Sequence, residues 1–218
     1  MLFDFSELAA ADRYKLLTAT IVPRPIAWVV SADAAGRVNA APFSFFNAFG
    51  SDPPVVCIGI GGRAPRPPKD PGSPKDSAAN IRATGQFVIC LVPYGMVDPM
   101  HVTALDFPAG TDELAEAGLR TLPSTRVRPP RIEGSPVAFE CERMVTLELG
   151  PDQGLVVGRV LAMHVRDDAV LDADRCHVDT LKLDLVGRMH GGGGYVRASG
   201  PGVFERARLR LTDWVRRT

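Results

Sequence analysis

The sequence has no apolar run near the roughly 20 residues that span a bilayer. It has no excess of either charge, with 25 Lys and Arg against 25 Asp and Glu, and no C-x-x-C pair among its four cysteines. Each absence excludes a class. Without a long hydrophobic run no membrane helix is expected. The opening Met-Leu-Phe-Asp-Phe-Ser-Glu lacks the basic-then-apolar order of a secretory leader, so a cytoplasmic protein is expected. Balanced charge gives no general field to collect nucleic acid, and any anion site has to be built locally. Cys57, Cys90, Cys141 and Cys176 are scattered, the first three within apolar runs, and read as buried reduced thiols.

The common chemical signatures are missing too. There is no G-x-x-x-x-G-K-[ST], H-E-x-x-H or G-x-S-x-G. His101, His164, His177 and His190 share no ligand spacing, so no metal site is expected and each histidine reads as hydrogen-bonded or exposed. Asp172-Ala-Asp-Arg-Cys176 begins like a calcium loop, but its fifth position is Cys and His177 stands where the turn needs glycine. Gly59-Ile-Gly-Gly-Arg-Ala64 matches a dinucleotide fingerprint and fails on context. Pro65, Pro67 and Pro68 follow at once and deny the helix whose N-terminus would hold a pyrophosphate.

What is present is a set of β-rich runs between turns. At 218 residues, 45% of them hydrophobic and 23% charged, the chain suits one large globular domain. Ser6 reads as the cap of a short amphipathic helix ending before Pro23. Ile26 to Ser31 and the run from Val38 flank Asp33-Ala-Ala-Gly36, a hairpin pattern. Asp52-Pro-Pro54 launches Val55 to Ile60, a run suited to a strand buried on both faces. A basic Pro/Gly loop from Gly61 to Pro74 leads to a short helix that Asp76 or Ser77 can cap and Gly85 closes. Gln86 to Val92 then reads as a strand, and Ala138–Leu149 with Gly154–Val165 as a second hairpin. Residues 95 to 117 mix helical and turn signals. Short helices among many strands predict a mainly β (α+β) fold, an antiparallel barrel with peripheral helices. Residues 1–200 are read as this domain. Residues 201–218, with five arginines around Leu209, Leu211 and Trp214, are read as a basic helix or arm packing on a subunit partner.

Two stretches invite a ligand. Lys75-Asp76-Ser77 leads into a helix N-terminus bearing Asn80, where backbone N–H groups, a cation and a hydroxyl suit a phosphate. A plain helix cap beside a solvated loop accounts for the same residues. Asn39-Ala-Ala-Pro-Phe-Ser-Phe-Phe-Asn47 alternates small and polar residues with rings, a slot in which backbone groups reach the edge of a flat heteroaromatic ring. An edge strand whose phenylalanines are core is the other reading.

Several blocks in order decide the matter. Tyr14-Lys-Leu-Leu-Thr, Pro23-Arg-Pro-Ile-Ala-Trp28, Asn39 to Asn47 with Pro53-Pro54, and Lys75-Asp76-Ser77 through Asn80-Ile81 resemble successive signatures of the flavin reductase-like, FMN-binding split β-barrel family. Gly85 to Cys90, Gly134-Ser-Pro136 with Phe139-Glu-Cys141, and Gly158-Arg-Val160 continue the likeness, which spans roughly residues 14 to 195. The resemblance implies a homodimer with FMN at the subunit interface and NADH or NADPH as reductant. Pro42, Phe43 and Ser44 would line the flavin ring, with Asn39 at the head of the segment and Phe46 and Asn47 at the margin. Gly61, Arg63, Lys75, Asp76, Ser77 and Asn80 would frame the phosphate and ribityl chain, and Arg188 and Tyr195 would lie near the flavin. His190-Gly-Gly-Gly-Gly194 departs from the commoner pattern and adds an imidazole, a candidate gate or proton donor. The implied activity is flavin reduction, with a monooxygenase as a recipient of reduced flavin. An electron carrier without nicotinamide turnover and a pyridoxamine-phosphate-oxidase-like oxidase are the alternatives.

Overall fold

The computed structural model describes residues 1–61, 75–108, 111–150 and 153–200. Its helices are α1 (Ala10–Thr20), α2 (Asp76–Thr84), α3 (Val97–Val102) and α4 (Glu113–Glu116). The strands are β1 (Arg24–Pro25), β2 (Ala27–Ala32), β3 (Val38–Phe43), β4 (Phe46–Ser51), β5 (Pro54–Gly61), β6 (Gln86–Cys90) and β7 (Thr121–Leu122). They continue with β8 (Arg131–Ile132), β9 (Val137–Gly150), β10 (Gln153–Val165), β11 (Val170–Asp172), β12 (His177–Val178), β13 (Val186–Arg188) and β14 (Tyr195–Arg197).

Seven strands form one antiparallel sheet in the order β3-β2-β6-β9-β10-β5-β4. Its two ends, β3 and β4, are separated in sequence only by Ser44 and Phe45, so the sheet has to curl back on itself. The Phe45 carbonyl accepts from Gly59 N–H at 2.7 Å, fastening that crossover to β5. A Cβ on Gly59 would stand 3.0 Å from Phe45 Cβ, so this glycine serves a close chain crossing. The result is a split β-barrel. Ala27, Val29, Phe87 and Ile89 point inward with Ile58 and Val156. The alternating Trp28, Val30, Val88 and Cys90 pack outside against Met100, Leu114 and Ile132. A small sheet, β1-β13-β14, stands beside the barrel.

Most of the expected elements are present, with two corrections at helix starts. The cap of α1 is Ala9, while Ser6 is turned back to Asp4, its hydroxyl donating to Oδ1 at 2.6 Å. The cap of α2 is Lys75, and Asp76 and Ser77 lie inside the helix. With its hydroxyl captured by Asp4, Ser6 is not available as a cap, and the Ser77 hydroxyl is engaged by Asn39 of β3. Gly85 ends α2 in the left-handed region, φ 72°, as its sequence position implies. Residues 95 to 117, ambiguous in sequence, contain α3 and α4 with turns between. Cys57, Cys90 and Cys141 are buried and free, and Cys176 is exposed. Among the described residues no helix is long and apolar enough to cross a membrane. Arg63 and residues 201–218 lie outside the described residues.

Candidate functional site

The site grows from the free edge of β3. One side of that strand pairs with β2. On the other, Ala40 N–H donates to Glu113 Oε2 at 3.3 Å, so period-two alternation turns the backbone of Pro42 the same way. Proline has no N–H to leave unpaired there, which is why an edge strand tolerates it. Two cavities run along this edge and share Pro42 and Ala104.

The first, 190 Å³, is bounded by Pro42, Phe43 and Ser44 of the barrel, by Tyr14 of α1, and by Arg188 and Tyr195 of the small sheet. The second, 90 Å³, is bounded by Asn39, Lys75, Asp76, Ser77 and Glu113 among others. Residues far apart in sequence thus form one groove with a ring-lined end and a polar end. At the polar end, Ser77 is buried. The Asn39 amide sits between Ser77 Oγ, from which Oδ1 accepts at 2.9 Å, and Glu113 Oε1, to which Nδ2 donates at 3.1 Å. This network locks β3 to α2 and α4. Lys75 Nζ stands 5.4 Å from the centre of the Phe43 ring, joining the two ends.

At the ring end, Arg24 is almost wholly buried. It donates from Nη1 to the carbonyls of Thr18 (2.7 Å), Ile21 (2.7 Å) and Met189 (3.2 Å), and from Nε to Ser44 Oγ at 3.4 Å. Burial draws its pKa below the ordinary arginine value, opposed by Tyr14 and reinforced by Arg188. One guanidinium therefore ties α1, the small sheet and the start of the barrel crossover together. Arg188 donates to the Tyr195 hydroxyl, donates to Gly191 O at 3.0 Å, and lies 4.7 Å from the Tyr195 ring centre. Nε2 of His101 is 2.7 Å from the same hydroxyl. Beyond Ile26 and Tyr195 lies a larger, mainly apolar groove of 730 Å³ that reaches Gly200.

The groove brings together Asn39, Pro42, Phe43, Ser44, Lys75, Asp76, Ser77, Arg188 and Tyr195. Other expected positions lie elsewhere. Phe46 is in β4 opposite Ile58, and Asn47 is exposed, its Oδ1 accepting from Ala48 N–H at 2.8 Å. Asn80 turns inward, Nδ2 donating to Ser31 Oγ at 3.3 Å. Gly61 ends β5 opposite Gln153. His190 is exposed and folds over its own glycine run, Nδ1 accepting from Gly192 N–H at 3.0 Å. Arg24, His101, Glu113 and Tyr14 were not singled out as site residues. Tyr14 and Arg24, the latter held between Pro23 and Pro25, stand within family blocks, whereas His101 and Glu113 carry no local signal. Among the described residues no group of three or more His, Cys, Asp or Glu could hold a metal ion.

The curled seven-stranded sheet with its side sheet and edge groove defines a split-barrel protein. Residues 19–180 match the flavin reductase like domain, and the chain belongs to that family. Its chemistry is therefore flavin-related oxidoreduction. It is 44% identical over 216 residues to an uncharacterized protein of Deinococcus radiodurans, covering 97% of this chain and 91% of that one. The crystal structure of nitrilotriacetate monooxygenase component B from Bacillus cereus superposes with a TM-score of 0.84 at 27% identity, over 96% of this chain and 98% of that one. The 2-nitrobenzoate 2-nitroreductase NbaA of Pseudomonas fluorescens gives 0.82 at 30% identity, over 97% and 96%.

Proposed function

We propose that the protein is an NAD(P)H-dependent flavin reductase that binds FMN along the free edge of β3. The observation that carries this reading is the continuous groove with a ring-lined end at Phe43, Ser44 and Tyr195 and a polar end where Lys75 stands beside the first turn of α2. The residues fit the group. The outer edge of β3 and the Ser44 hydroxyl suit the polar rim of an isoalloxazine ring, while Lys75 and the α2 N-terminus suit its phosphate. Bound FMN would supply hydride acceptance and electron release. The chain's own task is binding and orientation: Pro42 and Phe43 set the ring plane, Arg24 holds Ser44, and Asn39 with Ser77 fixes α2 against β3. Residues 1–200 form the flavin domain in this reading, and 201–218 an appended basic arm.

The same reading makes the protein a cytoplasmic homodimer. Val145, Leu147 and Leu149, at alternate positions of β9, are 42%, 46% and 62% exposed, an apolar row that a second copy would cover. Likeness to a protein named as a monooxygenase component supports delivery of reduced flavin to a separate monooxygenase. Purified protein saturated with FMN, mixed without oxygen with NADH or NADPH, is expected to lose the flavin band near about 450 nm within turnover times. A band unchanged by both nicotinamides overturns the reductase and leaves an electron carrier. Turnover of pyridoxamine phosphate would instead favour the oxidase.

A further inference from the structure

Three side chains from three elements meet at the ring end of the groove: His101 on α3, Arg188 on β13 and Tyr195 on β14. A phenol has one proton to give and two lone pairs, whereas a guanidinium only donates. Arg188 therefore fills one lone pair of the Tyr195 oxygen, and the hydroxyl proton must go elsewhere. Two directions matter for the flavin site: toward His101 Nε2 at 2.7 Å, or away from it into the 190 Å³ cavity that Tyr195 lines together with the larger groove.

We propose that His101 decides between these directions, so that Tyr195 is a hydrogen-bond donor to the bound ligand only when His101 is protonated. Neutral His101, with its proton on Nδ1, accepts the Tyr195 proton and leaves the cavity without that donor. Protonated His101 carries hydrogen on Nε2 as well and donates to the second lone pair of Tyr195. With both lone pairs filled, the Tyr195 O–H turns into the cavity, toward an acceptor atom on the rim of the flavin ring. His101 is exposed, so its proton exchanges with solvent.

The other titratable or charged groups around this pair are Arg188, Tyr14 of α1 in the same cavity wall, Arg24 of β1 behind Arg188, and Asp98 on α3 itself. Among the described residues no carboxylate lines the 190 Å³ cavity to compete for the phenol proton. Tyr195 is held by the cation lying over its ring, so the hydroxyl can redirect its proton without moving the ring.

The inference rests on the flavin reading, and its test separates the two. Because the FMN phosphate changes its own charge with pH, riboflavin is the probe, followed by quenching of its fluorescence from pH 8.5 to 5.5 at about half-unit steps. In the native protein riboflavin affinity is expected to rise about three- to tenfold as pH falls, the worth of one hydrogen bond. Tyr195→Phe and His101→Gln are each expected to flatten the profile. Nitrogen-15 spectra of the unliganded protein should show neutral His101 with hydrogen on Nδ1. A flat native profile, an unchanged slope in either variant, or a neutral form with hydrogen on Nε2 overturns the proposal. If neither riboflavin nor FMN binds the native protein at any pH, the flavin reading falls. The histidine spectrum then still decides the hydrogen-bond direction.

Discussion

Glu140 is the most constrained charged residue among those described. Its side chain is wholly buried in β9, yet it accepts from Thr125 N–H (2.8 Å), Thr125 Oγ1 (3.0 Å), Arg126 N–H (2.5 Å) and Val127 N–H (3.2 Å). Nε2 of His164 lies 2.5 Å away. Burial alone would raise the carboxyl pKa, but hydrogen bonds from Thr125, His164 and Arg126 outweigh it and bring it down to about 2 from 4.5. A carboxylate depressed in the folded state stabilises above its unfolded pKa, and that stability is lost as pH falls through the folded value. Acid titration from pH 5 to 2 is therefore expected to unfold the native protein progressively, the Glu140 contribution fading below about 4.5. Glu140→Gln should cost about 2–4 kcal/mol at neutral pH, measured by denaturant unfolding, and should shorten the acid limb. An unchanged midpoint would mean that the 124–128 segment does not depend on this anchor. In sequence, Glu140 is one polar residue in a partly alternating strand. Its partners lie 13 to 24 positions away, and no local pattern announces them.

The long hairpin of β9 and β10 carries the middle of the sheet, and its glycines divide by space rather than by backbone angle. Gly158 sits at a register shift against β9, and a Cβ there would come within 2.5 Å of Phe87 Cζ, a ring with no exposure. Gly158→Ala is expected to destabilise by about 1–3 kcal/mol through overpacking. Gly154→Ala, whose nearest neighbour would be Thr146 Cγ2 at 3.8 Å, should be neutral or slightly stabilising. Equal midpoints in urea for the two variants would refute the distinction. At this scale the sequence was legible where periodicity and turn residues agree. The β2–β3 hairpin has its turn closed by Asp33 Oδ1, which accepts from Ala35 and Arg37 N–H at 2.9 Å, and Gly85 stops α2. It was less legible where polar residues compete locally, as at Ser6. It also read Asn39 to Asn47 as one slot, whereas the chain turns at Ser44–Phe45 and sends β3 and β4 to opposite ends of the sheet order.

For the whole molecule, the expected homodimer gives the sharpest test away from the groove. Sedimentation velocity should return twice the chain mass. Leu147→Glu should shift the population toward monomer by placing a charge in an apolar contact, with the far-ultraviolet spectrum unchanged. A native protein that sediments as a monomer at micromolar concentration would remove the interface from the proposed function. By itself the sequence determined the class of fold, the strands and short helices, and the free thiols, because alternation, turn chemistry and burial are local or statistical properties of the chain. Its family resemblance also pointed to Pro42, Phe43, Ser44, Lys75 and Ser77, which line the groove. Only the tertiary structure decided that Lys75 and Ser77 stand at one end of β3 while Arg188 and Tyr195 stand at the other. It alone revealed that Arg24, Glu113 and His101 join them, and that Phe46, Asn47, Asn80 and His190 face elsewhere. The reason is physical: those placements follow from barrel closure and long-range pairing, which no window of the sequence contains.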